Sequence, residues 1–173
     1  MAAPLQEDRG MQLTRRRFFT ILALGTGAAL SGIGRAWTKS FERLVLSRQE
    51  WQQRLTPEQF AILREDGTER PYSSALNNEK REGAYHCAGC ELALFESSKK
   101  YDSGTGWPSF YDVIEGRVET RTDYVLFIPR TEYHCARCGG HQGHVFKDGP
   151  KPTGLRYCNN GLALTFEPAA DGS

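Results

Sequence analysis

Apolar positions keep three different rhythms along this chain. The first is a nearly continuous, glycine-rich run from Ile21 to Ile33. The second is sparse: Trp37 to Leu55 is charged with scattered apolar residues and reads as a linker running into a first helix. Thr56-Pro57-Glu58-Gln59 opens that helix, with Thr as N-cap, Pro at the first helical position and Gln reaching back from the third. Phe60, Ile62 and Leu63 lie along it, and it stops near Gly67; Pro71 to Gly83 is polar and reads as irregular. The third rhythm is that of short strands. Val113–Val118 reads as a hairpin turning at Gly116 and Tyr124–Pro129 as an apolar strand. Leu155–Phe166 is rich in strand formers, with a possible turn at Asn160-Gly161. The pattern predicts a mainly antiparallel β architecture with a short helical cover at its N-terminal side.

The 13-residue apolar run is too short to span a bilayer permanently, since a helix needs about 20 residues for that. Thr14-Arg15-Arg16-Arg17-Phe18-Phe19 precedes it and has the twin-arginine pattern of an export signal. Gly34-Arg35-Ala36 supplies the small residues of a cleavage site. Residues 1–36 therefore read as a signal, 37–49 as a linker, 50–168 as the working domain and 169–173 as a tail. This places the protein outside the cytoplasm, in the periplasm or its equivalent, with no stable membrane span once the signal is removed. The alternative is a cytosolic protein with a basic, apolar tail. Of 22 basic and 21 acidic side chains, residues 1–36 hold five and two, so the remainder carries a net charge of −2. That balance argues against nucleic acid as a partner.

Four of the five cysteines change the picture further. Tyr85-His86-Cys87-Ala88-Gly89-Cys90 and Tyr133-His134-Cys135-Ala136-Arg137-Cys138 are near-copies of one hexapeptide. Each Cys-x-x-Cys lets one turn present two thiolates, and two such turns make a closed, tetrahedral structural zinc site. A signal that exports folded protein suits such a site, because thiolates bound to metal are protected from the oxidising exterior. His86 and His134 beside the knuckles read as surface or supporting residues.

Cys158 is left without a partner. In Gly154-Leu155-Arg156-Tyr157-Cys158-Asn159-Asn160, an extended backbone projects Arg156, Cys158 and Asn160 on one face. A guanidinium two residues from a thiol favours the thiolate, whereas the plainer reading is a buried free cysteine. His141 and His144 follow the second knuckle, with Asp148 four residues later as a candidate orienting carboxylate. Thiolate, imidazole and carboxylate are the parts of nucleophilic catalysis with proton transfer. The rival is metal ligation by the histidines, which four cysteines already pre-empt. In Ser103-Gly104-Thr105-Gly106-Trp107-Pro108-Ser109-Phe110, Trp107 is either core or the wall of a small apolar pocket.

Together, the paired Cys-x-x-Cys, Gly-Trp-Pro-Ser-Phe, Gly-His-Val-Phe-x-Asp-Gly-Pro and Gly-x-Arg-Tyr-Cys-x-Asn resemble the B-type methionine sulfoxide reductases, from about Glu50 to Pro168. The resemblance implies two antiparallel β-sheets in a twisted sandwich or barrel-like arrangement, with a structural zinc. The activity it implies is reduction of the R epimer of methionine sulfoxide, free or within oxidised proteins. It assigns Cys158 as nucleophile and His144 as acid, with His141 beside it. Asp148, Arg156 and Asn160 form the tuning network, and Trp107 receives the substrate methyl. Two departures stand out. Many relatives carry a resolving cysteine where this chain has Thr105, so an external thiol, from a thioredoxin- or glutaredoxin-like protein or a small molecule, is expected to regenerate Cys158. Asn159 and Gly161 stand where an aliphatic residue and a serine are usual. The rival functions are a non-catalytic zinc-ribbon interaction module and a dithiol carrier using Cys-x-x-Cys.

Overall fold

The computed structural model describes residues 41–124 and 129–170, so the expected export signal lies outside the described residues. Two helices open the described chain. α1 (Arg48–Arg54) falls within the stretch read as a linker and its approach to the helix. It has the same start signal as its successor, a capping box of Ser47 and Glu50. Ahead of it, Phe41, Leu44 and Leu46 pack against the core, and Leu44 N–H donates to the Arg137 carbonyl. α2 (Pro57–Glu65) begins as its sequence demands, with the Thr56–Gln59 capping box and Pro at its start, and buries Phe60, Ile62 and Leu63. It ends with Asp66 in the left-handed conformation, followed by Gly67. A Cβ at Gly67 would lie 2.7 Å from the Ala61 carbonyl oxygen that its own N–H bonds.

Among the described residues nine strands follow: β1 (Gly83–Cys87), β2 (Ala93–Glu96), β3 (Lys100–Tyr101), β4 (Ser109–Phe110), β5 (Val118–Asp123), β6 (Arg130–Cys135), β7 (His141–Phe146), β8 (Arg156–Asn159) and β9 (Leu164–Pro168). They make two sheets, one ordered β2-β1-β9 and the other β3-β4-β8-β7-β6-β5, and their pairings are antiparallel. The barrel-like variant of the expectation does not hold: β3 and β5 end the larger sheet and do not pair with each other. Aromatic rings from both sheets fill the space between. Phe95 stacks on Phe110 at 4.1 Å, and Tyr85 meets Phe110 edge-on at 4.9 Å.

One strand expectation needs correction, and another lies largely outside the described residues. Gly116 does turn the chain, with Arg117 N–H bonded to the Ile114 carbonyl, but Val113 and Ile114 form no strand and the hairpin is absent. β5 pairs with β6 instead. Of the expected strand 124–129, residues 125–128 lie outside the described residues, and Tyr124 and Pro129 belong to no strand. The strand that enters the second knuckle is the more polar Arg130–Cys135, whose Glu132, Tyr133 and Cys135 are buried. The break at Asn160-Gly161 is real: β8 and β9 lie in different sheets, joined by a short 3-10 turn over Gly161–Ala163.

Candidate active site and metal centre

β8 is central in the larger sheet, and this gives Cys158 two close neighbours. It pairs with Ser109 of β4 on one side and with His144 of β7 on the other. Directly paired residues carry their side chains on one face, so thiol and imidazole share a face. The approach of β7 to β8 requires Gly143, where any Cβ would collide with the Cys158 carbonyl. Beside this pair is a cavity of about 140 Å³, lined by Cys158, His144, Trp107, Asn160, Phe146 and Arg130 among others.

Each wall has a visible support. The Trp107 indole N–H donates to the Glu69 carbonyl at 3.1 Å, which aims the half-buried ring at the cavity. Asn160 uses both ends of its amide on backbone: Oδ1 accepts from Glu69 N–H at 3.0 Å, and Nδ2 donates to the Gln142 carbonyl at 3.1 Å. The Glu69 side chain accepts the amides of Gly161 and Leu162. Its burial pushes the carboxyl up, against those hydrogen bonds.

Arg156 does stand near the thiol, but the net effect differs from the expectation. Burial pushes the Cys158 thiol above its ordinary range, and the Arg156 charge and a Thr105 hydrogen bond offset only part of that. The Arg156 guanidinium forks onto Asp148 at 2.9 and 2.8 Å and lies over the Phe146 ring at 4.3 Å. Asp148 is 60% exposed and serves Arg156, not His144.

The carboxylate on His144 is Asp123, at the end of β5, with Oδ2 2.7 Å from Nε2. Arg130 donates to the same oxygen at 2.6 Å. Burial lowers the His144 pKa, and the Asp123 hydrogen bond only partly restores it. His141 is 2% exposed, and its Nδ1 lies 2.8 Å from Glu132 Oε1. It lines an adjoining cavity of about 270 Å³, shared with His144. Glu132 also meets His134 Nδ1 at 3.1 Å and Arg121 Nε at 3.0 Å. Burial alone would raise the Glu132 pKa, but His134, His141 and Arg121 together draw it down to about 2. Asp66 joins Glu132 and His141 in a second close group, but the Arg121 guanidinium, bonded to both acids, already supplies the positive charge there.

Asp123, Arg130, Glu132, Glu69 and Phe146 were not singled out from the sequence. Phe146 lies within the Gly-His-Val-Phe-x-Asp-Gly-Pro motif without having been given a role; the other four sit in no recognisable chemical pattern. The cross-strand registry that brings Asp123 and Glu132 to the histidines spans β5, β6 and β7.

The four cysteines of the two knuckles meet between the sheets. The turn after β1 carries Cys87 and Cys90, and the turn after β6 carries Cys135 and Cys138. Each turn is followed by a left-handed residue, Glu91 and Gly139 respectively. All four Sγ atoms are buried and lie within 4.8 Å of one another. Cys87 and Cys138 are 3.7 Å apart at sulfur, and Cys90 and Cys135 3.5 Å. Tetrahedral zinc with Zn–S bonds of about 2.3 Å needs sulfurs about 3.8 Å apart, so the donor set fits that ion. Hydrogen bonding among the thiols pushes Cys87 and Cys135 up and draws Cys90 and Cys138 down, and four thiolates this close favour a cation between them. Gln142 Nε2 donates to Cys87 Sγ at 3.3 Å.

The SelR domain profile matches residues 55–168 of this chain. A peptide methionine sulfoxide reductase MsrB of Methanosarcina barkeri is 53% identical over 127 residues, covering 73% of this chain and 89% of that protein. The MsrB of Pseudomonas putida is 54% identical over 122 residues, covering 69% and 91%. The mitochondrial methionine-R-sulfoxide reductase B2 of Rattus norvegicus is 46% identical over 157 residues, covering 85% and 90%. Among solved structures, a Mis18 "Yippee-like" domain covers 53% of this chain at 16% identity and a TM-score of 0.43, too slight a likeness to argue from.

Proposed function

This chain belongs to the SelR-domain family and is an oxidoreductase that reduces methionine-R-sulfoxide, and we propose that Cys158 is the sulfur that takes the oxygen. The observation that carries this reading is the one cavity onto which Cys158, His144, Trp107 and Asn160 all open. At about 140 Å³ it suits the methyl-sulfoxide end of a side chain and little more. Trp107 offers the apolar surface a methyl group needs, and the cross-strand imidazole of His144 can carry the proton.

Cys158 starts as a thiol, because its burial outweighs Arg156. His144 starts neutral for the same physical reason and can accept that proton. The thiolate attacks the sulfoxide sulfur while the imidazolium protonates the oxygen, which is a poor leaving group until then. A Cys158–sulfur bond forms as the S–O bond breaks with its pair leaving on the protonated oxygen as hydroxide. That hydroxide then attacks the Cys158 sulfur, the sulfur–sulfur bond breaks with its pair returning to the methionine thioether, and Cys158 is left as sulfenic acid. Thiol plus sulfoxide gives sulfenic acid plus thioether, so atoms and electrons balance without another reactant. Two thiols of an external reductant then restore Cys158 and release water. Thr105 has no sulfur to offer, so a thioredoxin- or glutaredoxin-like protein or a small thiol supplies that second half.

Zinc held by Cys87, Cys90, Cys135 and Cys138 would pin the β1–β2 turn of one sheet to the β6–β7 turn of the other, as structural cross-link and not as reactant. Gln142 adjoins it in β7, the strand that carries His144. The twin-arginine pattern at Thr14–Phe19 supports export and repair of oxidised proteins outside the cytoplasm. No helix among the described residues is long and apolar enough to cross a membrane. The test of the reaction is turnover of the separate R and S epimers with a chemical thiol reductant. The R epimer alone should be consumed, and C158S should abolish that. Turnover by C158S would refute the assignment of the nucleophile.

A further inference from the structure

The two cavity-side histidines are held through opposite ring nitrogens. His141 uses Nδ1, on Glu132, and His144 uses Nε2, on Asp123. We propose that Asp123, fixed by Arg130, is a positioning residue that sets the tautomer of His144 and so selects Nδ1 as its proton-transferring atom. This rests on the reading of His144 as the acid, and adds to it a residue from a strand that never touches the cavity's nucleophile.

An ionised carboxylate can only accept, so the nitrogen facing Asp123 must carry the hydrogen. In neutral imidazole the other nitrogen is then the lone pair. Nδ1 is left to take the Cys158 proton and return it to the sulfoxide oxygen. Arg130 makes the arrangement durable. Its guanidinium binds the same Asp123 oxygen at 2.6 Å, which pairs the carboxylate with a fixed positive charge and sets its direction. Among the described residues, the groups around His144 are Asp123 from β5, Arg130 and the cross-strand Glu132 from β6, His141 and Phe146 from β7, and Cys158 from β8, with Arg156 over Phe146. Of the two carboxylates, Asp123 makes the hydrogen bond to His144; Glu132 is spent on His141, His134 and Arg121.

Loss of the Asp123 charge removes a group that favours the imidazolium, so protonation of His144 then needs a lower pH. D123N also offers an amide N–H to Nε2, which favours the opposite tautomer.

The test uses full-length, zinc-loaded protein. Nitrogen-15 NMR of the four histidines, with His144 assigned by its disappearance in H144N, should show Nε2 protonated and Nδ1 bare. In D123N and D123A, single-turnover formation of the Cys158 sulfenic acid should fall at least about 10-fold, toward the range of a lost proton carrier. Its acid limb should move to lower pH while zinc content holds. A His144 with Nδ1 protonated in the wild type, or variants with unshifted limb and rate, would overturn the role of Asp123. H144N at wild-type rate would instead overturn the underlying reading of His144.

Discussion

The Tyr133 hydroxyl donates a 2.6 Å hydrogen bond to Asn159 Oδ1 in the core beside Cys158. Both residues are fully buried, and Asn159 also donates to the Asn160 carbonyl at 2.7 Å. The asparagine that departs from the family habit is therefore a paired one. Gly161, the other departure, is matched too: a serine there would collide with Ser74, whose hydroxyl caps the short turn at Ala75–Asn78. Replacing either partner alone leaves a buried polar group unpaired, at a cost of about 1–3 kcal/mol. N159V and Y133F should each lower stability by that order in urea unfolding. The double variant should recover much of the loss, and strictly additive losses would contradict the pairing.

Substitution of Cys87, Cys90, Cys135 or Cys138 by serine should release the metal and lower the melting temperature broadly. Structural zinc contributes folding free energy directly, on the order of 10 kcal/mol in small zinc peptides. Metal analysis beside thermal melting checks this, and one variant with full zinc and unchanged melting would contradict the site.

Cys158 should be a slow thiol before substrate arrives. Its folded pKa is raised above the ordinary 9.0, so alkylation should gain speed only as pH climbs past that value. Arg156 favours the thiolate, so R156M should move the profile further up. A midpoint near neutrality in the wild type would contradict the burial argument.

Thr105 lies near enough to favour the Cys158 thiolate, so its side chain is close to Cys158. T105C should turn the sulfenic acid into a disulfide between the introduced thiol and Cys158, and quicken recycling by thioredoxin. Peptide mapping after one turnover reads the bond. Persistence of the sulfenic acid in T105C would mean that the two side chains are not aligned.

Local signals were legible. The capping box at Thr56, the left-handed stop before Gly67, the turn at Gly116 and the break after Asn160 each depend on neighbours in sequence. The meeting of the four knuckle cysteines was legible because each knuckle is a single turn. What the sequence hid is non-local. β6 looks polar because Glu132 is buried against two histidines and an arginine, so it was not singled out as a strand. Asp148 was taken for the partner of His144 because it is four residues away, whereas Asp123 reaches that ring from two strands across. The direction of the Cys158 shift was hidden likewise, since burial belongs to the packed sheet and not to the heptapeptide around it.

The most direct measurement treats the reduced, zinc-loaded protein with one equivalent of methionine-R-sulfoxide and no reductant. The account predicts one equivalent of methionine, a mass gain of one oxygen trapped by a sulfenate-specific probe on Cys158, and zinc still bound. An intramolecular disulfide from Cys158 to one of the four knuckle cysteines, with zinc released, would contradict it.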